Sequence, residues 1–268
     1  MKPIRYLLFC LVLISWQLKA QKQDTIYIST SLGTMKAVFY DDVPRHRSMY
    51  TERIKYEAFD GTLFFRVVPN FIIQGGSPDS RNAAPGERVG QGSNQFLLKP
   101  EFRPAHFARK GAIAAPRQPD SMNPEKESDC SQFFIVKGRV YTGGYLDSLE
   151  MQRNNPLKNA WWAVNYTPHK AEMDSLRKAD PRQFNQRLRS YRAEMDSALR
   201  SNPQALFFSE EQRAILTTLG GELSLDMQYT FFAEVVEGLE VIDKIAALKT
   251  DAYERPLQDV VIHSVRIK

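Results

Sequence analysis

The sequence is short of cysteine. Only Cys10 and Cys130 occur in 268 residues, and Cys10 lies in a leader-like N-terminus. The single thiol left behind closes no internal disulfide, which excludes a disulfide framework. No His–Asp pairing is visible around Cys130, so it reads as a small structural cysteine and not a nucleophile. Histidine is also scarce. His46, His106, His169 and His263 show no metal-ligand spacing, so they are given no role and no metal or other cofactor is expected. Surplus charge is missing as well. The formal net charge is +5, but residues 1–20 hold Lys2, Arg5 and Lys19 and no acid, leaving 33 basic and 31 acidic side chains. That balance gives no argument for nucleic acid as a partner. Beyond the first 20 residues no apolar run approaches the ~20 residues that a membrane span needs. The hydrophobic and charged fractions, 43% and 25%, are those of an ordinary folded protein. The length allows one large domain or two small ones.

Met1 to Ala20 reads as a secretory signal peptide. Lys2 and Arg5 make a positive n-region, Tyr6 to Trp16 an apolar h-region, and Leu18-Lys19-Ala20 an imperfect cleavage site. The expectation is export, to the periplasm, with cleavage near Ala20 and a mature chain of residues 21–268.

The mature chain opens with a hairpin over residues 25–40, turning at Ser31-Leu32-Gly33. Pro44 suits the first turn of a helix that runs to about Lys55. Residues 75–95 are a long loop without periodicity. Gly111 to Ala115 and Ser131 to Val136 read as strands, with a polar loop at Gln118 to Asp129 between them. At about Gly143 the composition changes. From about 145 to 220 the chain is charged and helical, with Phe184, Leu188, Tyr191, Met195 and Leu199 on one face. Pro168, Pro181 and Pro203 divide this block into three or four helices. Ser209 with Gln212 forms a capping box, and Gly220-Gly221 stops the last helix. Strand character returns at Tyr229 to Val236, followed by a helix at Leu239 to Leu248 and a closing strand at Val260 to Ile267. The chain is therefore a β-rich body split by a helical insertion, with its terminal strands placed to pair.

The densest signal is Leu63 to Gly76, nearly all apolar, with Arg66 and Gln74 as its long polar side chains. An arginine in such a run is not fully buried without a partner, so it faces either solvent or a cleft. The pattern is Phe64-x-Arg66-x-x-Pro69-x-Phe71-x-x-Gln74-Gly75-Gly76, followed about 55 residues later by Ser131-Gln132-Phe133-Phe134. With Tyr56 to Phe64 before the first motif and Gly111-Ala112-Ile113-Ala114 before the second, the chain resembles the cyclophilins, a family of peptidyl-prolyl cis-trans isomerases. The resemblance covers roughly residues 25–138 and 220–268 and leaves out the insertion.

The resemblance implies a mainly β fold, a closed eight-stranded antiparallel barrel capped by two helices, and catalysis of rotation about X–Pro bonds in proline-containing polypeptides. It assigns Arg66 the catalytic role. Phe71, Ile72, Phe134, Leu225 and Tyr229 would line the pocket for the proline ring, Gln74 would hold Arg66, and Gln132 would bond the substrate backbone. Arg117 stands where eukaryotic members have asparagine and bacterial members often have arginine. Ile72 replaces a common methionine and Tyr229 a common histidine. Ala115, Pro116, Ser224, Met227 and Ala233 also depart from common family residues, Met227 and Ala233 replacing glycines near the pocket rim. Together with the leader, this reads as an isomerase assisting the folding of exported proteins. The rival reading is a non-catalytic, peptide-binding or chaperone-like module with a protein partner at the insertion. Trp161-Trp162 bears on the choice: exposed, the pair favours a binding surface; packed on the barrel, it makes the insertion a brace.

Overall fold

The computed structural model describes residues 24–92 and 96–268. The expected signal peptide lies outside the described residues. The strands are β1 (Thr25–Thr30), β2 (Gly33–Phe39), β3 (Phe64–Val68), β4 (Ile72–Gly75), β5 (Leu97–Leu98), β6 (Ala112–Ala114), β7 (Ser128–Asp129), β8 (Phe133–Val136), β9 (Phe231–Glu237) and β10 (Ile262–Ile267). The helices are α1 (Pro44–Lys55), α2 (Gly143–Asn165), α3 (Lys170–Ala179), α4 (Pro181–Arg200), α5 (Glu210–Thr218) and α6 (Leu239–Ala246). Eight strands form one sheet in the order β10-β1-β2-β9-β6-β8-β4-β3, and β5 pairs with β7 in a separate ribbon. All pairings are antiparallel. The β5–β7 ribbon is absent from the sequence reading, because two-residue strands carry no periodicity.

The period of two along each strand becomes an inside and an outside. Val67 pairs with Ile73, Ile73 with Ile135, Ile135 with Ile113, and Ile113 with Ala233. That row belongs to the main core, with Tyr50 and Ile54 of α1 and Val241, Ile242 and Ile245 of α6 packed on it. The adjacent row, Arg66–Gln74–Phe134–Ala114–Phe231, has the opposite direction and emerges on the outer face.

The sheet is open, not closed as expected. Its edges β3 and β10 meet only near their first residues, through a Leu63–Val261 bridge, the Phe64 N–H donating to the Val260 carbonyl at 2.9 Å, and Ile262 exchanging bonds with Thr62 and Gly61 at 2.8 Å each. Further along β3 the partner is a loop. Val67 N–H donates to the Glu254 carbonyl at 2.8 Å. Asp251 accepts from the N–H groups of Tyr253 and Arg255 and folds this loop into a tight turn. A turned loop cannot continue a ladder, so the barrel stays open beside Arg66.

The helical block lies between β8 and β9. The Phe184 stripe is inward: Tyr191, Met195 and Leu199 of α4 are buried, and α4 packs on α2 and α3. Trp161 and Trp162 are half-buried and meet the rings of Tyr166 and Tyr191. They are neither a bare surface nor a contact to the sheet; the insertion has its own small core. It is rooted where Gly221 bridges both Arg109 and Arg139. There Gly138, at φ +56°, lies so close to Gly221 that any Cβ would strike its backbone. Among the described residues no helix is long and apolar enough to cross a membrane.

Candidate functional site

On the outer face a second apolar cluster forms, separate from the main core. Ile72, Phe134, Leu225 and Phe231 are buried in it with Ala112, Ala114 and Val136, and Phe71 and Tyr229 are half-buried against it. The five residues expected to line a ring-sized pocket therefore come together from β4, β8 and the turn before β9. The Tyr229 ring meets Phe134 edge-on at 5.2 Å. The 3₁₀ turn Leu223–Leu225 brings Leu225 in from the side.

Arg66 stands at the end of the same row, one strand from Gln74. Its side chain is 35% exposed and its Nε donates to Glu254 Oε2 at 2.6 Å. Among the described residues this is its one side-chain partner, and the two Nη nitrogens carry the remaining donors of the guanidinium. Gln74, expected to hold Arg66, does not bond to it. Its Nε2 donates instead to Gln132 Oε1 at 2.9 Å. The reason is the opening in the sheet, which lets the Glu254 loop reach Arg66 from the solvent side. Sequence reading missed Glu254, which lies 188 residues from Arg66 in a polar loop without a motif. Its φ of +65° is the one local oddity; a side chain in that region costs about 1–2 kcal/mol.

Gln132 is buried. Its amide accepts from Gln74 and donates to Asp129 Oδ2 at 3.2 Å, while its carbonyl accepts from the Tyr50 hydroxyl at 2.7 Å. Behind it, β7 is fixed by a buried relay: Ser128 Oγ lies 2.9 Å from His46 Nε2, and His46 Nδ1 lies 2.7 Å from Glu101 Oε2. Burial holds the His46 ring below its ordinary pKa. Burial pushes the Glu101 carboxyl up, but hydrogen bonds from His46 and Arg45 overcome this and hold it below the ordinary range. A neutral imidazole therefore donates to a carboxylate that also accepts the His46 N–H at 2.9 Å, one of the orphan donors of α1. The relay supports the site and does not face it.

Arg117 is nearly buried, its side chain 7% exposed. Nε donates to the Gln228 carbonyl at 2.8 Å and Nη1 to Asp120 at 2.6 Å, with the guanidinium 5.0 Å above the Tyr229 ring. It clamps the turn that carries Leu225 and Tyr229. On the other side of Arg66 a cavity of ≈ 320 Å³ is lined by Phe65, Gln74, Gly90, Gln118 and Tyr253. Burial pushes the Cys130 thiol up to about 12, so it stays protonated and inert.

The arrangement sets an apolar cluster and one guanidinium on the same outer row of the sheet. Comparison with known proteins points the same way. The family model "Cyclophilin type peptidyl-prolyl cis-trans isomerase/CLD" matches residues 25–149 and 211–267. A Staphylococcus haemolyticus protein provisionally named a peptidyl-prolyl cis-trans isomerase is 23% identical over 256 residues, 94% of this chain and 96% of that protein. A Streptococcus pyogenes protein, provisionally named a bifunctional phosphatase/peptidyl-prolyl cis-trans isomerase, is 22% identical over 245 residues; the match spans 90% of this chain and 38% of that protein. A solved Cryptosporidium parvum cyclophilin type isomerase, determined in the presence of the dipeptide Ala-Pro, aligns at TM-score 0.48 and 16% identity, over 91% of this chain and 98% of that one.

Proposed function

The chain belongs to the cyclophilin-type peptidyl-prolyl cis-trans isomerases, and from that premise we propose that Arg66 is its catalytic group and that its substrates are exported polypeptides. Rotation about an X–Pro bond crosses ~18–20 kcal/mol because it breaks amide resonance. In the twisted state the proline nitrogen becomes pyramidal and gains a lone pair. A guanidinium donating to that nitrogen acts only in the twisted state, so it lowers the barrier and not merely the dissociation constant. No proton is transferred and no bond is broken other than in its π character.

The observation that carries this reading is the outer row. Arg66, Gln74 and Phe134 are cross-strand neighbours, and Phe134 lies in the apolar cluster with Phe71, Ile72, Leu225 and Tyr229. Phe71, Ile72, Phe134, Leu225 and Tyr229 would hold the proline ring beside the Nη donors. Gln74, Gln132 and Arg117 support the walls. Export rests on the leader sequence alone, with Lys2 and Arg5 ahead of the Tyr6 to Trp16 run.

The test is the isomerisation rate of a tetrapeptide containing Ala–Pro. The wild type accelerates it, and Arg66→Ala loses about 100-fold or more in kcat/KM, as expected for removal of a transition-state donor. A folded wild type no faster than the uncatalysed reaction would sink the Arg66 mechanism and favour a non-catalytic peptide-binding module.

A further inference from the structure

A cavity of ≈ 940 Å³ lies between the first half of α2, the Pro203–Phe208 connection and the Leu223–Gln228 turn. Its apolar lining includes Tyr141, Tyr145, Leu149, Phe208, Leu223 and Met227. Its walls are held in place by side-chain contacts, and α2 is tied to the connection. Arg139 lies 5.2 Å from the Tyr141 ring and 5.6 Å from the Tyr145 ring, and Arg153 Nε donates to the Gln204 carbonyl at 2.9 Å. Asn154 donates to the Leu206 carbonyl at 2.7 Å and accepts the Leu206 N–H at 2.8 Å.

One wall belongs to two sites. In the turn before β9, Leu225 and Tyr229 face the apolar cluster beside Arg66, while Leu223, Asp226, Met227 and Gln228 line this groove. Met227 sits between them, 45% exposed and at φ +57°. A non-glycine residue in that conformation is strained and needs a compensating reason. A flexible thioether set between two clefts offers one, since it adapts to varied side chains.

Pro156 lies inside α2 and has no N–H, so the carbonyl four residues before it, that of Gln152, loses its usual helical donor. Gln152 lines the groove. A helix carbonyl without its usual donor, on a residue that lines a groove of aromatic and aliphatic side chains, suits an extended peptide, which brings both N–H donors and apolar side chains.

We propose that this groove, formed by the insertion against the Leu223–Tyr229 turn, is a second subsite that holds the stretch of substrate chain flanking the isomerised X–Pro bond. The inference rests on reading the Arg66 pocket as the prolyl site. It makes the enzyme selective for long, unfolded, apolar-flanked polypeptides over short peptides.

The test compares two substrates on the full mature chain. One is a tetrapeptide containing Ala–Pro. The other is a peptide of about ten residues, reaching ~33 Å when extended, with the same Ala–Pro at its centre and Leu and Phe in its flanks. The wild type is expected to show a KM about tenfold lower for the long peptide. The double variant Tyr145→Ala/Leu149→Ser loses that advantage and leaves tetrapeptide turnover unchanged. Pro156→Ala returns a helical donor to the Gln152 carbonyl; it should raise Tm and still raise the long-peptide KM about threefold. A purely structural Pro156 would not give that opposition.

Equal KM values for the two peptides in the wild type, with the tetrapeptide turned over, overturn the groove and leave the isomerase standing. A wild-type dimer that the double variant dissolves, without any long-peptide advantage, assigns the groove to a second copy and also overturns the proposal. Turnover of neither peptide overturns the groove and the Arg66 reading together.

Discussion

At the scale of single residues, the Arg66–Glu254 pair is the feature that sets this site apart from its sequence-based expectation. Both side chains are more than a third exposed, so the pair adds little to stability. Its effect is geometric: the carboxylate holds Nε and so fixes the guanidinium. Glu254→Ala should therefore lower kcat about tenfold at nearly unchanged KM and unchanged Tm, since misplacing a catalytic group costs rate before binding. Glu254→Gln, which keeps an acceptor, should recover most of that loss. Equal falls in Tm and kcat for both variants would instead mark Glu254 as structural. Asp226 provides a second residue-scale test. Burial pushes its carboxyl up from 3.8 to about 6, the Ala108 N–H pulls it down too weakly, and Glu222 adds repulsion. Between those two values the folded chain keeps a proton that the unfolded chain has shed. The stabilisation is thus complete below 3.8 and is lost as pH rises through about 6. Asp226→Asn keeps an acceptor for Ala108 and should raise Tm by about 3 °C at neutral pH. The gain should shrink as pH falls towards 5 in a thermal-melt series, and a pH-independent gain would refute the assignment.

At the scale of elements, the strands were legible where alternation or an apolar run extended beyond two residues. β1, β2 and β10 match the expected terminal strands, and α1 spans Pro44–Lys55 as its proline suggested. The Phe184 stripe likewise marked the inward face of α4. Pro156 inside α2 was not legible, because a proline reads as a boundary unless neighbouring contacts hold the helix on both sides. One such contact is Asn154, 3% exposed, which pins the chain at Leu206 onto α2 through two hydrogen bonds. Asn154→Ala should destabilise the helical block by about 2 kcal/mol, the usual cost of two buried bonds. Trp161 and Trp162 are the tryptophans of residues 21–268, so urea unfolding of that stretch followed by their fluorescence reports this block. An unshifted midpoint would contradict the pinning role.

At the scale of the whole molecule, the sheet and the helical block each pack largely on themselves. The curled sheet packs with α1 and α6. The helices α2, α3 and α4 pack chiefly on one another. Hydrogen exchange should show this as two units, with the amides of α3 and α4 exchanging well before those of β2, β8 and β9. Uniform protection across the chain would refute it. The sequence by itself determined the strand faces, the presence of the helical block and the family, because these depend on local periodicity and on a motif compact enough to read, Phe64 to Gly76. It suggested the roster of Arg66, Phe71, Ile72, Gln74, Arg117, Gln132, Phe134, Leu225 and Tyr229 only through the family resemblance. Only the tertiary structure decided that the sheet stays open, that Glu254 and not Gln74 holds Arg66, and that the insertion and the Leu223–Tyr229 turn enclose a groove. Each of these joins residues far apart in the chain, where the pairing is set by which loops can reach across a given opening, and no local pattern in a single sequence records that distance.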